Sequence, residues 1–228
     1  MEDLLIKNLV KSFESETTFD SRKKNNAPFI TISREFGCQA NELARHIIAG
    51  ILQRGRHWSM VNKEVLSASA ADLQIHPDKL SSILNDSNRG MFDEIIEAAS
   101  SKYYKSDRKI RYTIARIVTS FALKGDTIII GRASAAITQG MKNGLHIRLT
   151  APQKWRLESV MERLSMNRET AMKQITAIDH KRFKFQRDYM KASASADDIY
   201  DITFNCSTVS HLEMARMVLQ LMEERKMI

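Results

Sequence analysis

Apolar positions along this chain recur with two alternating periods. Residues 28–32, Pro-Phe-Ile-Thr-Ile, form a short β-branched and aromatic run that reads as a strand. In residues 41–54, Leu43, Ile47, Ile48 and Ile51 fall on one side of a helix. A second short strand is expected at 57–61 and a helix at 63–72. Residues 75–105 are polar and irregular, with helical pieces around 91–99, and read as an insertion over one edge. An amphipathic helix at 107–123 leads through Lys124-Gly125-Asp126 into Thr127-Ile128-Ile129-Ile130, whose unbroken apolar character suits a central strand buried on both faces. Gly131-Arg132 ends that strand. There follow a helix at 133–141, a strand at 145–149, and a helix opened by Pro152, since the first turn is where proline costs least. Helical pattern continues to about residue 191 with a break near 165–168. A strand at 199–205 and a helix at 209–225 come last. Strands alternating with helices predict a parallel sheet with helices on both faces, because right-handed crossovers place them there.

Composition adds bounds to this picture. The chain has 228 residues, 43% hydrophobic and only 8 Gly and 3 Pro, enough for one sizeable core. No apolar run approaches the ~20 residues of a membrane span. Glu2 and Asp3 stand where a signal peptide carries positive charge, so a cytoplasmic protein with no membrane partner is expected. Residues 1–27, apolar at Leu4, Leu5, Leu9 and Val10 and then polar, read as an appendage and linker; the domain proper is expected at 28–228. Cys38 and Cys206 have neither metal spacing nor disulfide-scaffold density, and read as reduced thiols. The formal charge of +8 favours anionic partners. Its basic residues are scattered, which makes nucleic acid the lesser expectation, and the cluster Lys181, Arg182, Lys184, Arg187 reads first as a solvated helix face.

The chemistry is expected between the first strand and the first helix. In parallel sheets ligands bind beyond the carboxyl ends of strands, where a helix N-terminus offers free N–H groups and a positive dipole end to phosphate. A P-loop there needs glycines, a lysine for the β- and γ-phosphates and Ser/Thr for Mg²⁺. In Ser33-Arg34-Glu35-Phe36-Gly37-Cys38-Gln39-Ala40-Asn41 only Gly37 is in place. Arg34 and Gln39 replace glycines, Ala40 replaces the lysine, and Asn41 replaces Ser/Thr. An ordinary strand-to-helix turn capped by Asn41 is the competing reading.

Residues further along decide between them. Ile32 to Ala44, with its Ser-Arg-Glu-aromatic-Gly and Glu-Leu-Ala, resembles the divergent loop of the cytidylate kinase-like family, which itself usually lacks the lysine. The same family places Gly-Arg after a hydrophobic strand, as at Gly131-Arg132, and then a strand and helix like residues 145–152. Its lid carries an acid and an arginine three apart, as at Asp179 and Arg182, with Tyr189 following. Its last strand resembles Tyr200-Asp201-Ile202-Thr203-Phe204-Asn205. The matches run from about Phe29 to the C-terminus. Cys38-Gln39-Ala40-Asn41 departs from the family's Ser-Gly-Gly, and Asn62-Lys63 stands where relatives often carry Asp-Lys. The resemblance implies a three-layer P-loop NTPase-type α/β fold with a five-stranded parallel sheet, an acceptor-side insertion at 73–106 and a lid at 164–192.

It also implies function: ATP-dependent phosphoryl transfer to a nucleoside monophosphate such as CMP, or to a related small phosphoacceptor, with ATP and Mg²⁺ as cofactors, by a monomer or homodimer. A nucleotide-binding or regulatory protein with weakened catalysis is the alternative on the same fold, and a basic nucleic-acid-binding module the alternative outside it. Phosphoryl transfer is mostly positioning and charge neutralisation, which puts the weight on arginines. Ser33, Arg34 and Gly37 to Asn41 would bind phosphate. Arg132, Asp179, Asn62 and Lys63 would hold the acceptor, Asp179 through its sugar, and Arg182, Arg163 and Arg156 would act on the transferring group. Ordinary readings stand beside each: a salt bridge for Arg132, an exposed ion pair for Asp179 and Arg182, and plain surface for Arg156, Arg163 and Arg168. No pair of histidines has metal spacing, and no metal ligands are assigned. Cys38, at a helix N-terminus, is where a thiol pKa can fall.

Overall fold

A computed structural model of the protein describes residues 27–62, 103–190, 195 and 197–228. Lys63 and the helices expected at the N-terminus, at 63–72 and around 91–99 lie outside the described residues. Two compact units are distinguishable, residues 1–24 with 63–120 and residues 25–62 with 121–228; the sheet and the candidate loop belong to the second.

The elements are β1 (Phe29–Arg34), α1 (Ala40–Gln53), β2 (Ser59–Val61), α2 (Tyr103–Lys124), β3 (Thr127–Ile130), α3 (Ser134–Thr138), β4 (Gly144–Thr150), α4 (Gln153–Leu164), α5 (Arg168–Arg187), β5 (Ile202–Asn205) and α6 (His211–Glu224). The five strands form one sheet in the order β2-β3-β1-β4-β5, and every pairing is parallel. The fold is therefore α/β with an all-parallel five-stranded sheet, as the alternating pattern predicts. β1 is the middle strand, with Ile32 opposite Ile130 on one side and Ile147 on the other. The apolar run Thr127–Ile130 is interior and fully buried, one place from the centre.

Alternation along the strands sorts their side chains. Ile30, Ile32, Ile128, Ile130, Leu145 and Ile147 form one core with Leu43, Ile47 and Ile51 of α1 and Met214, Val218 and Met222 of α6. The helical period in residues 41–54 that predicts α1 is thus the period of its buried face. Gly50 lets α6 approach closely, since a Cβ there would sit 2.3 Å from Leu219 Cδ1.

Some boundaries differ from expectation for local reasons. α3 begins at Ser134 and not at 133 because Gly131, Arg132 and Ala133 all take positive φ (72°, 56°, 54°), and it ends at Thr138, ahead of the expected 141. The break expected near 165–168 divides α4 from α5: Ser165 takes a left-handed conformation (φ 50°), and the Asn167 side chain caps α5 by accepting from Thr170 N at 2.8 Å. The last strand starts at Ile202 because Asp197–Ile199 form a 3₁₀ turn.

Candidate phosphate site

The chain leaves β1 toward β2 on one side of the sheet and leaves β4 toward β5 on the other, so the crevice beyond the carboxyl ends of β1 and β4 is the switch point where such sheets bind ligands. Residues 35–39 fill it. Glu35 N extends the ladder to Leu149 O at 3.0 Å, and Cys38 N donates to Glu35 O at 3.2 Å to close the turn. Gly37 has φ 102°; a Cβ there would lie 3.0 Å from Arg156 Cβ and 3.1 Å from Arg156 O. Glycine is required because α4 packs against the loop, and the Ser159 hydroxyl adds a bond to Gly37 O at 3.2 Å. The residue ahead of α1 is Gln39, with no side-chain cap, so Asn41 does not cap the helix. Among the described residues, the N–H groups of Gly37, Gln39 and Asn41 have no backbone partner.

Beside this loop lies a cavity of about 300 Å³, walled by residues 36–42 together with Arg34, Arg45, Arg163 and Arg182. Four guanidinium groups face one carboxylate, Glu42, which already accepts from Arg45 Nη1 at 2.8 Å. Arg182, on α5, donates to Arg34 O at 3.3 Å and stacks over the Phe36 ring at 5.6 Å from its centroid, which fixes its reach across the loop. Arg34 lies over Gly131, where a Cβ would meet its Nη1 at 1.8 Å. The glycine of the Gly-Arg pair is thus the space that the Arg34 guanidinium occupies.

Arg156 and Asp179 hold the loop and do not line the cavity. Arg156, 9% exposed, donates to Ala151 O at 3.1 Å and Phe36 O at 3.2 Å, and pairs with Glu35 at 3.3 Å and with Asp179. Asp179 accepts in addition from Phe36 N at 2.7 Å. Glu35 takes Thr150 Oγ1 at 2.7 Å and Ala151 N at 3.2 Å. These three residues clamp α4, α5 and the end of β4 around the loop. In the sequence Glu35 stands only as part of a motif; its side-chain role shows once β4 lies alongside β1. Arg45 and Glu42, three apart on α1, and Phe36 are cavity residues that the motif reading missed, although the helical spacing put the first two on one face.

Of the expected site residues, Arg34, Gly37, Cys38, Gln39, Ala40, Asn41, Arg163 and Arg182 come together in the cavity. Ser33 lies within β1, Asn62 just past β2 and Arg132 just past β3, the last two at the same carboxyl edge of the sheet but outside the cavity wall. Among the described residues no three His, Cys, Asp or Glu side chains are grouped to hold a metal ion. Among the described residues the cavity wall carries one carboxylate, Glu42, beside four arginines, and these cationic side chains and open N–H groups fit phosphate.

The whole span from β1 to the turn after β5 is what the cytidylate kinase-like family shares: the sequence matches that family over residues 29–208. The chain belongs to the cytidylate kinase-like family. That membership ties it to kinase-like, nucleotide-related chemistry. No curated protein matches the chain. Among solved structures, an uncharacterized protein from Eubacterium ventriosum is 18% identical, with 86% of this chain and 98% of that one covered and a TM-score of 0.61, a likeness of fold. Dephospho-CoA kinase from Campylobacter jejuni is 14% identical over 88% of this chain and 98% of that one, at a TM-score of 0.44. TT1252 from Thermus thermophilus is also 14% identical, over 87% and 97%, at 0.41. Among the described residues no helix is long and apolar enough to cross a membrane.

Proposed function

We propose that this member of the cytidylate kinase-like family transfers the terminal phosphoryl group of ATP to a nucleoside monophosphate such as CMP, or to a related small phosphoacceptor, and that the loop cavity holds the phosphates of the donor. The observation that carries this reading is the convergence of Arg34, Arg163 and Arg182 on a strand-loop-helix turn with open N–H groups. Such an array binds polyphosphate without the usual lysine, because guanidinium groups grip phosphate oxygens bidentately and the helix end adds its dipole.

In the transfer, an acceptor phosphate oxygen attacks the terminal phosphorus, and the bond to the bridging oxygen breaks to leave ADP. Arg182 and Arg163 neutralise charge on the transferring group, while Arg34 and the N–H groups of Gln39 and Asn41 hold the part that leaves. Arg156 and Asp179 act as positioning residues through the loop. The acceptor is proposed to lie along the carboxyl edge of β2 and β3, near Asn62 and Arg132. The domain bounds, with the domain at 28–228, an acceptor-side insertion at 73–106 and a lid at 164–192, belong to the same proposal.

One observation favours a nucleotide-binding protein with weakened catalysis: Gln39 and Ala40 in the cavity wall bring neither glycine's close backbone approach nor a lysine. A coupled assay for ADP over the common nucleoside monophosphates separates the two. Acceptor-dependent ADP formation that falls ~100-fold or more in Arg182→Ala, on the scale of losing one charge-stabilising donor, is the expected result. Saturable ATP binding with no ADP under any acceptor would establish the second reading.

A further inference from the structure

The four guanidinium groups of the cavity wall come from four elements: Arg34 ends β1, Arg45 lies in α1, Arg163 in α4 and Arg182 in α5. One carboxylate is set among them. Glu42 stands in the first turn of α1, where the helix dipole favours an anion, and its Oε2 accepts from Arg45 Nη1 at 2.8 Å, three residues further along the helix. Its other oxygen, Oε1, lies 3.5 Å from His46 Nε2. Glu42 and Arg45 both line the cavity. The protein thus supplies Arg45 with an anion of its own at the mouth of the site that fits phosphate.

Magnitudes decide what this pair does. The Arg45 and Glu42 side chains are 63% and 42% exposed, and an ion pair so open to water shifts an equilibrium by roughly 5-fold at most. Bonds from a guanidinium to phosphate oxygens are the stronger kind, bidentate when two nitrogens engage. A phosphate chain in the cavity therefore takes Arg45 from Glu42, and Glu42 keeps His46 as its neighbour. The pair must break each time such a ligand binds, and it re-forms each time one leaves.

We propose that Glu42 is a built-in counter-anion that competes with bound phosphate for Arg45, and so eases release of a polyphosphate that the four arginines would otherwise retain. The inference rests on the phosphate-binding reading given above and goes beyond it, giving Arg45 a place on the ligand and Glu42 a part in its departure. A phosphotransferase has to discharge a nucleoside diphosphate from its donor site in every cycle, and that step commonly limits turnover. A competing carboxylate three residues away keeps the grip of the site from outlasting the chemistry.

The test titrates inorganic tripolyphosphate, which has neither base nor sugar, into the full chain by calorimetry at ~0.15 M salt, where charges beyond ~8 Å are screened. Glu42→Gln keeps the side chain's shape and removes its charge. It is expected to bind tripolyphosphate ~5-fold more tightly, with a slightly lower Tm because the helix end loses its anion. Damage to the fold would weaken binding, so the gain has a sign that a structural role does not produce. Arg45→Met is expected to weaken binding ~10-fold, the scale of one charge-assisted contact. Made in the Arg45→Met background, Glu42→Gln should gain no more than ~2-fold, since only screened repulsion is left to relieve. An unchanged or weaker affinity in Glu42→Gln, an unchanged affinity in Arg45→Met, or the same gain in both backgrounds overturns the competition. Tripolyphosphate that binds neither the unsubstituted chain nor Glu42→Gln counts against the phosphate reading of the cavity itself, and the competition falls with it.

Discussion

Replacing Arg156 by methionine separates a clamp from a catalytic group. Methionine fills a comparable length of stem and leaves no large cavity, so the loss is one of charge. Two carboxylates, Glu35 and Asp179, lose the guanidinium between them; their side chains are 26% and 25% exposed, against 11% for that of Arg156. Breaking a fully buried pair costs about 3–5 kcal/mol, while an exposed pair is worth no more than ~1 kcal/mol. Quarter exposure lets water screen the orphaned carboxylates and places the expected loss near the low end, at ~3 kcal/mol. In urea this moves the midpoint down by ~1 M at unchanged slope. Adding Asp179→Asn removes one of the stranded charges and should return ~1 kcal/mol, a coupling the double-mutant cycle reads directly. A loss below ~1 kcal/mol with no coupling, accompanied by lost turnover, would refute the clamp and make Arg156 a catalytic residue, as the sequence alone suggests.

Three further outcomes follow from the same geometry. Gly37→Ala forces a side chain onto φ 102° and against the α4 backbone at 3.1 Å, and is expected to cost ~3 kcal/mol in urea unfolding, where strain at such a position alone accounts for 1–3; a change within ~0.5 kcal/mol would contradict the packing described. Gly131→Ala must displace the Arg34 guanidinium, so ATP affinity should fall ~10-fold for a stability cost of only ~1–2 kcal/mol, and calorimetric titration beside thermal melting distinguishes the two effects. His146 is buried on β4, hydrogen-bonded to Thr31 at 2.8 Å, and burial holds its pKa below 6.5. The unfolded chain therefore takes up the proton first, and stability present above about pH 6.5 is lost as pH falls from there toward the folded value. His146→Gln should flatten that decline in Tm between pH 7.5 and 5.5, and an equally steep decline in the variant would assign it to other groups.

The sheet was legible because its strands are carried by short-range signals. Ile128-Ile129-Ile130 has no polar side to show solvent, and Leu43, Ile47 and Ile51 have the helical period of the face they bury. The bounds that slipped depend on backbone states that side-chain patterns do not record, such as the three consecutive positive φ values that delay α3. The cavity was half legible. Loop residues and Arg182 follow from position and motif, but Arg45 and Phe36 needed the orientation of α1 and α5 about the loop. Arg156 shows the limit most clearly: nothing in the sequence near it distinguishes an arginine aimed at a ligand from one aimed at Glu35, 121 positions earlier, because the choice is made by how α4 packs on Gly37.

The central claim, that a loop without its lysine still holds polyphosphate, is tested most directly by calorimetric titration of the reduced protein with AMP, ADP and ATP in turn. Affinity should rise with each added phosphate, by ~10-fold or more per step where a new charge-assisted contact forms, and the rise should vanish in Gln39→Glu, which sets a carboxylate at the mouth of the loop. Equal affinities for AMP and ATP, or a rise that survives Gln39→Glu, would show that the phosphates bind elsewhere.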